Sequence, residues 1–376
     1  MNLKYLQLEN FRNYKTYPLD FGAHDNNLTI LTGENGIGKS NLIESIYALS
    51  LGKSFRVEKN VDLILKGENY YRAKGEISSK SEESSLEIFY SETPQKKKNF
   101  KKNGVSISHS DYIGNFLTVL FQPEDLNILY LSPHLRRRYL DVILSQTERK
   151  YLFALTKYNK ILKQRNALLK EIKIALLDED GKKAGILRDD LAIWTEEMIQ
   201  YATIITEYRI KLFNFINERL NSMYTKISGG NEALKVVYES KAQNAFTPEE
   251  IKESLRRYFQ EKEKIEILQG RTLGGPHRDD LLFFIEENRF SGYGSRGEIR
   301  TLMLALKLIE ISYIKEKTGE LPVLLLDDVL SELDFSRQKH LINEMTSCQT
   351  IISTADEQNL SKIAKDSRII KLDAKR

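Results

Sequence analysis

The chain has 376 residues, more than one hydrophobic core ordinarily holds, so two lobes are expected. With 41% hydrophobic and 29% charged residues it reads as a globular protein, and no run of about 18 apolar residues predicts a membrane span. A net charge of +4 permits nucleic-acid binding without demanding it, and a single cysteine, Cys348, excludes an internal disulfide and suits a reducing cytoplasm.

Met1–Phe11 alternates apolar and polar residues, which predicts a strand and not a signal peptide. Leu28–Leu31 is a short β-rich run ending at Gly33. It leads into Gly33-Glu34-Asn35-Gly36-Ile37-Gly38-Lys39-Ser40, a match to G-x-x-x-x-G-K-[ST]. Asn41–Ser50 follows with Leu42, Ile43, Ile46 and Leu49 on one helical face. A glycine-rich turn between strand and helix lets backbone N–H groups curl around phosphates at the helix's positive end. Gly33–Ser40 and Asn41 are therefore expected to bind ATP. Lys39 would reach the β- and γ-phosphates, and the Ser40 hydroxyl would ligate Mg²⁺.

Strands are predicted near Tyr70–Ile77 and Ser85–Tyr90, then a basic loop or hairpin over Pro94–Lys102 with a turn at Asn103-Gly104. Lys96, Lys97, Lys98, Lys101 and Lys102 fit either a solvated hairpin or a grip on DNA phosphates. Arg136–Arg138 divide in the same way between internal ion pairs and DNA. From Pro133 the texture turns helical. Tyr151–Leu177 and Ile186 to about Tyr224 predict two long helices in an antiparallel hairpin, either lobe core or protruding coiled coil.

After Gly270 the α/β pattern returns, with a strand at Leu281–Ile285 and a helix over Arg300–Lys315. Leu324-Leu325-Leu326 delivers Asp327 and Asp328 at the end of a buried strand. Asp327 is expected to bind the magnesium through a water, and Asp328 to orient or deprotonate the attacking water. Ile351–Thr354 is a last short strand. The expected organisation is an ATPase head over 1–130 and 270–376, with a helical lobe inserted at 131–269.

Several further motifs fall in order. Gln122, within Leu120–Leu126, stands where ATP-binding-cassette proteins carry the Q-loop glutamine. Ser295-Arg296-Gly297-Glu298 looks like their signature motif, and Ser331–Asp334 like their D-loop. Asn10–Tyr14, Lys53–Arg56, Pro133–Asp141 and Gly275–Asp280 narrow the match. Together, along essentially the whole chain, they resemble the RecF family of bacterial DNA replication and repair proteins, related to the SMC and Rad50 ATPases.

That resemblance implies a Rad50-like α/β ABC-type head and a smaller, mostly helical lobe. It implies a homodimer around two ATP molecules, with slow, DNA-stimulated hydrolysis. It implies binding to double-stranded DNA and to its junctions with single strands, and work with RecR and RecO to load RecA at gaps. Recombinational repair, SOS induction and fork restart follow from it. Arg12 and Asn13 would touch the nucleotide, Gln122 the magnesium, and Ser295, Gly297 and Glu298 the nucleotide of the other subunit. The sequence departs from the wider superfamily in three places. Asp328 stands for the usual glutamate, Arg296 for a glycine, and Ser353-Thr354 for the switch histidine. A transporter ATPase is the alternative, disfavoured by the long inserted helices. A nuclease-associated Rad50-like ATPase would need a far longer coiled coil.

Overall fold

A computed structural model describes residues 1–22, 27–230, 232–242, 245, 247–329, 338, 347–354 and 367–373. The chain divides into two compact units: Met1–Leu126, Ser222–Asn231 and Ser295–Arg376 in the first, Asn127–Asn221 and Glu232–Gly294 in the second. Among the described residues, no helix is long and apolar enough to cross a membrane.

Among the described residues, the first unit holds two sheets. Five short strands run parallel in the order Arg368–Lys371, Leu28–Thr32, Thr350–Ser353, Val323–Asp327, Thr118–Phe121. Leu324, Leu325, Leu326, Ile351 and Ile352 are all buried, which accounts for their unbroken apolar runs. The second sheet has six antiparallel strands, in the order Tyr14–Asp20, Asn2–Phe11, Tyr70–Ser78, Glu83–Ser91, Lys97–Lys102, Val105–Ile107. Here alternation places Tyr71, Ala73 and Ile77 inward. Lys97–Lys102 and Val105–Ile107 form the hairpin predicted over the basic run. Asn103 and Gly104 take φ of 51° and 80°, as a tight two-residue turn requires.

The helix Lys39–Leu51 packs against strands of both sheets. Every residue from Leu42 to Leu51 is buried, so its sequence is apolar nearly all round. On the antiparallel side its approach is set by Gly75, where a Cβ would stand 2.4 Å from Leu49 Cδ2.

In the second unit the helices Arg149–Leu177 and Gly181–Ser228 meet through Tyr151 with Arg209 and Arg165 with Thr195. The pairings run in opposite chain directions, which makes the hairpin antiparallel. Leu169, Ile172, Leu191 and Ile267 form its apolar core, the last from the helix Pro248–Gln269. The hairpin is thus lobe core along this stretch. The lobe also contains a sheet: Asp280–Ile285 pairs with Leu234–Glu239 and Asn288–Arg289. The strand around Leu281–Ile285, read from sequence as part of the head, clusters with the helical unit because its partner strand lies there.

Arg136 and Arg137 of the arginine run are engaged internally. Arg136 makes a bidentate pair with Asp280 at 2.7 and 2.9 Å, and Arg137 donates to the Asp279 carbonyl at 2.7 Å. Arg165, 1% exposed, pairs with the fully buried Glu266 at 2.6 Å. His277 accepts or donates at 2.6 Å to the Tyr158 hydroxyl through Nδ1, while Nε2 faces the Thr272 carbonyl at 3.4 Å. A carbonyl only accepts, so Nε2 carries the proton and Nδ1 accepts from Tyr158.

Candidate nucleotide site

In a parallel sheet the strands deliver their following loops to one edge, where ligands bind. Four of the five strand ends bear on the site. Leu28–Thr32 ends at Gly33, Thr350–Ser353 at Thr354, Val323–Asp327 at Asp328, and Thr118–Phe121 at Gln122. Register brings Ser353 opposite both Leu31 and Asp327, and Phe121 opposite Leu326.

At this edge is a polar cavity of about 340 Å³, lined by Asn35, Gly36, Gly38, Lys39, Ser40, Asn41, Arg56, Asp328 and Ser353. Gly38 precedes the helix Lys39–Leu51 at φ 108°, a conformation L side chains rarely adopt. No side chain caps this helix, and no acid stands in its first turn. Its positive end therefore faces the cavity with no carboxylate in its own first turn to offset it. Gly33 has a second reason to be glycine. A Cβ there would lie 3.0 Å from the Leu372 carbonyl oxygen and 3.1 Å from Ile37.

Lys39 Nζ donates to the carbonyls of Gly33 at 2.7 Å and Glu34 at 3.0 Å, arching over the loop's own backbone. Burial pulls its ammonium below the usual lysine range, and the charges of Asp328 and then Asp327 pull it back up. Asp327 is 8% exposed. Its Oδ1 accepts from the Ser353 hydroxyl at 2.7 Å. The Asp328 amide faces Ser353 Oγ at 3.1 Å and the Ser353 carbonyl at 3.2 Å. Asp328 has φ 52°, unusual for a residue other than glycine. It turns out of the strand into the cavity lining.

The other expected contacts stand in two places. Arg12, at φ 55°, donates twice to Glu44 at 2.8 Å and once to the Asp62 carbonyl at 2.8 Å. Glu44 is fully buried in the loop's own helix, and Ser54 also donates to it. Asn13 donates to the Ile37 carbonyl at 3.1 Å and accepts from Asn41 at 2.8 Å. Arg12 and Asn13 thus brace the phosphate loop and its helix from outside the cavity lining. Glu34 and Ile37 shape the loop, the Ile37 amide bonding the Glu34 carbonyl at 3.2 Å.

Gln122 follows its strand at the same sheet edge, one residue beyond the register partner of Leu326, outside the cavity lining. Ser295 is the N-cap of the helix Arg296–Thr318. Its Oγ accepts from the Glu298 amide at 3.3 Å, and Glu298 Oε2 accepts from the Ser295 amide at 2.7 Å. This reciprocal capping box starts the helix at Arg296, four residues before the expected Arg300. Gly297 and Glu298 consequently lie in its first turn, and the Glu298 carboxylate is engaged in the cap. Ser331–Asp334 lie outside the described residues.

Ser353 aside, which stands at the switch-histidine position, one cavity residue has no nucleotide role expected from the sequence. Arg56 donates to Asn41 Oδ1 at 2.9 Å and lies 3.8 Å from Glu44. Its motif, Lys53–Arg56, was visible, but only the fold carries it back to the phosphate loop.

A family model described as the RecF/RecN/SMC N terminal domain matches residues 2–376. The DNA replication and repair protein RecF of Bacillus cytotoxicus is 38% identical over 357 residues, 94% of this chain and 92% of that relative. RecF of Pediococcus pentosaceus is 39% identical over 369 residues, 97% and 94% of the two chains. A solved structure of the recombination mediator protein RecF-ATPrS in the RecFOR pathway aligns with a TM-score of 0.86 at 35% identity, covering 95% of this chain and 93% of that one. An Smc head domain derived from Pyrococcus furiosus aligns over 98% of this chain and 92% of that one, with a TM-score of 0.51 at 19% identity, a likeness of fold alone. The fold is an α/β, ABC-type, Rad50-like P-loop head assembled from both ends of the chain around an inserted, mainly helical lobe. With identity this high along nearly the whole length of its relatives, the chain belongs to the RecF family of DNA replication and repair proteins.

Proposed function

We propose that the chain binds ATP with magnesium in the cavity above Lys39 and hydrolyses it slowly, as a switch for holding DNA during gap repair. The observation that carries this reading is the meeting of Lys39, Asp328 and Ser353, from three different strand ends, in one polar cavity at a helix N-terminus. Such an arrangement suits a polyphosphate.

In this reading Lys39 exchanges its two loop carbonyls for phosphate oxygens, and Arg56 adds a second positive charge. The Ser40 hydroxyl and the Asp327 carboxylate, with Gln122 from the next strand end, would hold Mg²⁺. These are hard oxygen donors, and one or two of them with phosphate oxygens make the usual magnesium set. The ion would draw charge from the phosphates during transfer. Asp328, turned into the cavity by its strained backbone, orients the attacking water. Ser353 stands where a switch histidine would and holds the two acids in register. Ser295 and Gly297, at a helix start, would meet the nucleotide of a second copy, so that ATP drives dimerisation.

Double-stranded DNA and its junctions with single strands are the proposed partners, with RecR and RecO, in loading RecA in the cytoplasm. The RecF relatives support this. The basic hairpin supports it less, because Lys101 and Lys102 pair with Glu87 and Glu82. The test is Lys39→Ala, assayed for nucleotide binding, ATP turnover and ATP-dependent retention on gapped duplex DNA. All three should fall with the melting temperature preserved. Normal turnover in the folded variant would sink the assignment.

A further inference from the structure

A lysine is buried at a cost of several kcal/mol unless it is paired and hydrogen-bonded. Lys307 is such a residue. It lies in the helix Arg296–Thr318 with its side chain 7% exposed, Nζ 3.3 Å from Glu310 Oε2 and 3.4 Å from Asp125 Oδ2. Glu310, one turn on, is 2% exposed at its side chain. Asp125 comes from elsewhere, the turn Pro123–Leu126 that follows the Gln122 strand.

Asp125 does two things at once. Its Oδ2 faces the Gln122 amide at 3.2 Å, and its own amide donates to the Gln122 carbonyl at 3.0 Å. The backbone of Gln122 is thus clamped from both sides by Asp125, and the Asp125 carboxylate is in turn tied to Lys307. Lys307 stands 12 residues after Ser295, about 18 Å along the same helix. Two acids against one lysine leave an excess negative charge in the interior, and Glu310 responds, burial raising its carboxyl to about 7. An apolar trio would pack at least as stably. The ionic arrangement therefore adds a directed tie, where apolar packing would add bulk.

We infer that Lys307 is a positioning residue for ATP hydrolysis, fixing the Gln122 turn to the helix that carries Ser295, so that both nucleotide-facing ends move as one piece. The inference rests on the reading that ATP is hydrolysed in the Lys39 cavity. Lys307 touches no substrate and acts only through Gln122 and Ser295.

The experiment compares Lys307→Met and Lys307→Arg, each alone and combined with Gln122→Ala. It measures binding of a fluorescent ATP analogue, single-turnover hydrolysis and melting temperature. Lys307→Met should keep nucleotide affinity within about twofold while hydrolysis falls roughly tenfold or more. Lys307→Arg should recover most of that loss. In the Gln122→Ala background, Lys307→Met should cost less than about twofold further, because the two substitutions break one linkage. Should Lys307→Met fail to fold, the uncharged set Asp125→Asn, Lys307→Met, Glu310→Gln removes the tie without stranding a charge, and the same results are expected. An equal loss in both Gln122 backgrounds, a parallel loss of affinity and turnover, or no loss would overturn the coupling. Lys39→Ala separates the two claims. If it retains turnover, the cavity reading falls and this inference with it. If it is inactive while Lys307→Met is additive with Gln122→Ala, only the inference falls.

Discussion

Ser353 donates its hydroxyl hydrogen to Asp327 Oδ1 across 2.7 Å, joining two neighbouring parallel strands at the edge where the phosphate loop opens. A hydrogen bond to a charged acceptor contributes about 1.5–3 kcal/mol. Ser353→Ala removes it without adding bulk. The expected result is a severalfold higher magnesium requirement for ATP turnover, since the Asp327 carboxylate loses its fixed orientation. A magnesium titration of turnover checks this, and an unchanged titration would separate Ser353 from the ion.

Asp328→Asn keeps the side-chain shape and removes the charge from the cavity wall. Turnover should drop by about 10²-fold or more with nucleotide affinity preserved, the pattern of a group acting in the transition state. Lys39 should respond as well. Asp328 is the larger of the two carboxylate influences favouring its charge, so the lysine should titrate lower in the variant. Affinity and single-turnover rates measured together test the assignment. Lost affinity with normal turnover would give Asp328 a different role.

The double use of Ser295 shapes a dimerisation test. Because Ser295 caps the helix Arg296–Thr318, a bulky replacement would lose about 1 kcal/mol of helix stability as well as block a partner. Ser295→Asp is the cleaner variant, since aspartate caps as well as serine yet repels a phosphate. It should bind ATP as a monomer, melt normally and fail to dimerise or hydrolyse. Light scattering with ATP, with ADP and without nucleotide decides it. Normal dimerisation of Ser295→Asp would remove Ser295 from the interface.

His277 predicts a pH dependence in the second unit. Burial lowers its pKa from 6.5 to about 4, opposed next by the Thr272 carbonyl and reinforced by Arg278, Arg137 and Arg165 nearby. The unfolded chain binds a proton below 6.5 that the folded chain refuses down to about 4. Stability is therefore full above 6.5 and falls as pH drops through that window, by roughly 3 kcal/mol at most. His277→Gln should flatten the acid limb of a denaturation series between pH 7 and 4.5. An equally steep limb would assign the loss to other groups.

The loop half of the candidate site was legible in the sequence because it is local. Gly33–Ser40 sits between a strand and a helix a few residues away, and glycines with a lysine and a serine at that spacing describe one geometry. The capping box at Ser295 and Glu298 is equally local, and it starts the helix four residues before Arg300. The acids Asp327 and Asp328 were visible as the end of an apolar run. Their arrival beside Ser353 and Lys39 depends on sheet order, which joins residues more than 300 positions apart through backbone hydrogen bonds. The same distance explains what sequence alone left open. Arg12 faces Glu44 and not the cavity, Arg56 returns to the phosphate loop, and Asp280–Ile285 joins the helical unit. A charged side chain finds its partner through folding, and no spacing in the chain names Asp280 for Arg136 or Asp125 for Lys307. Local chemistry determined a glycine-rich loop of the phosphate-binding pattern and an acid strand; only long-range packing decided which charges would face the cavity and which would be spent holding the fold around it.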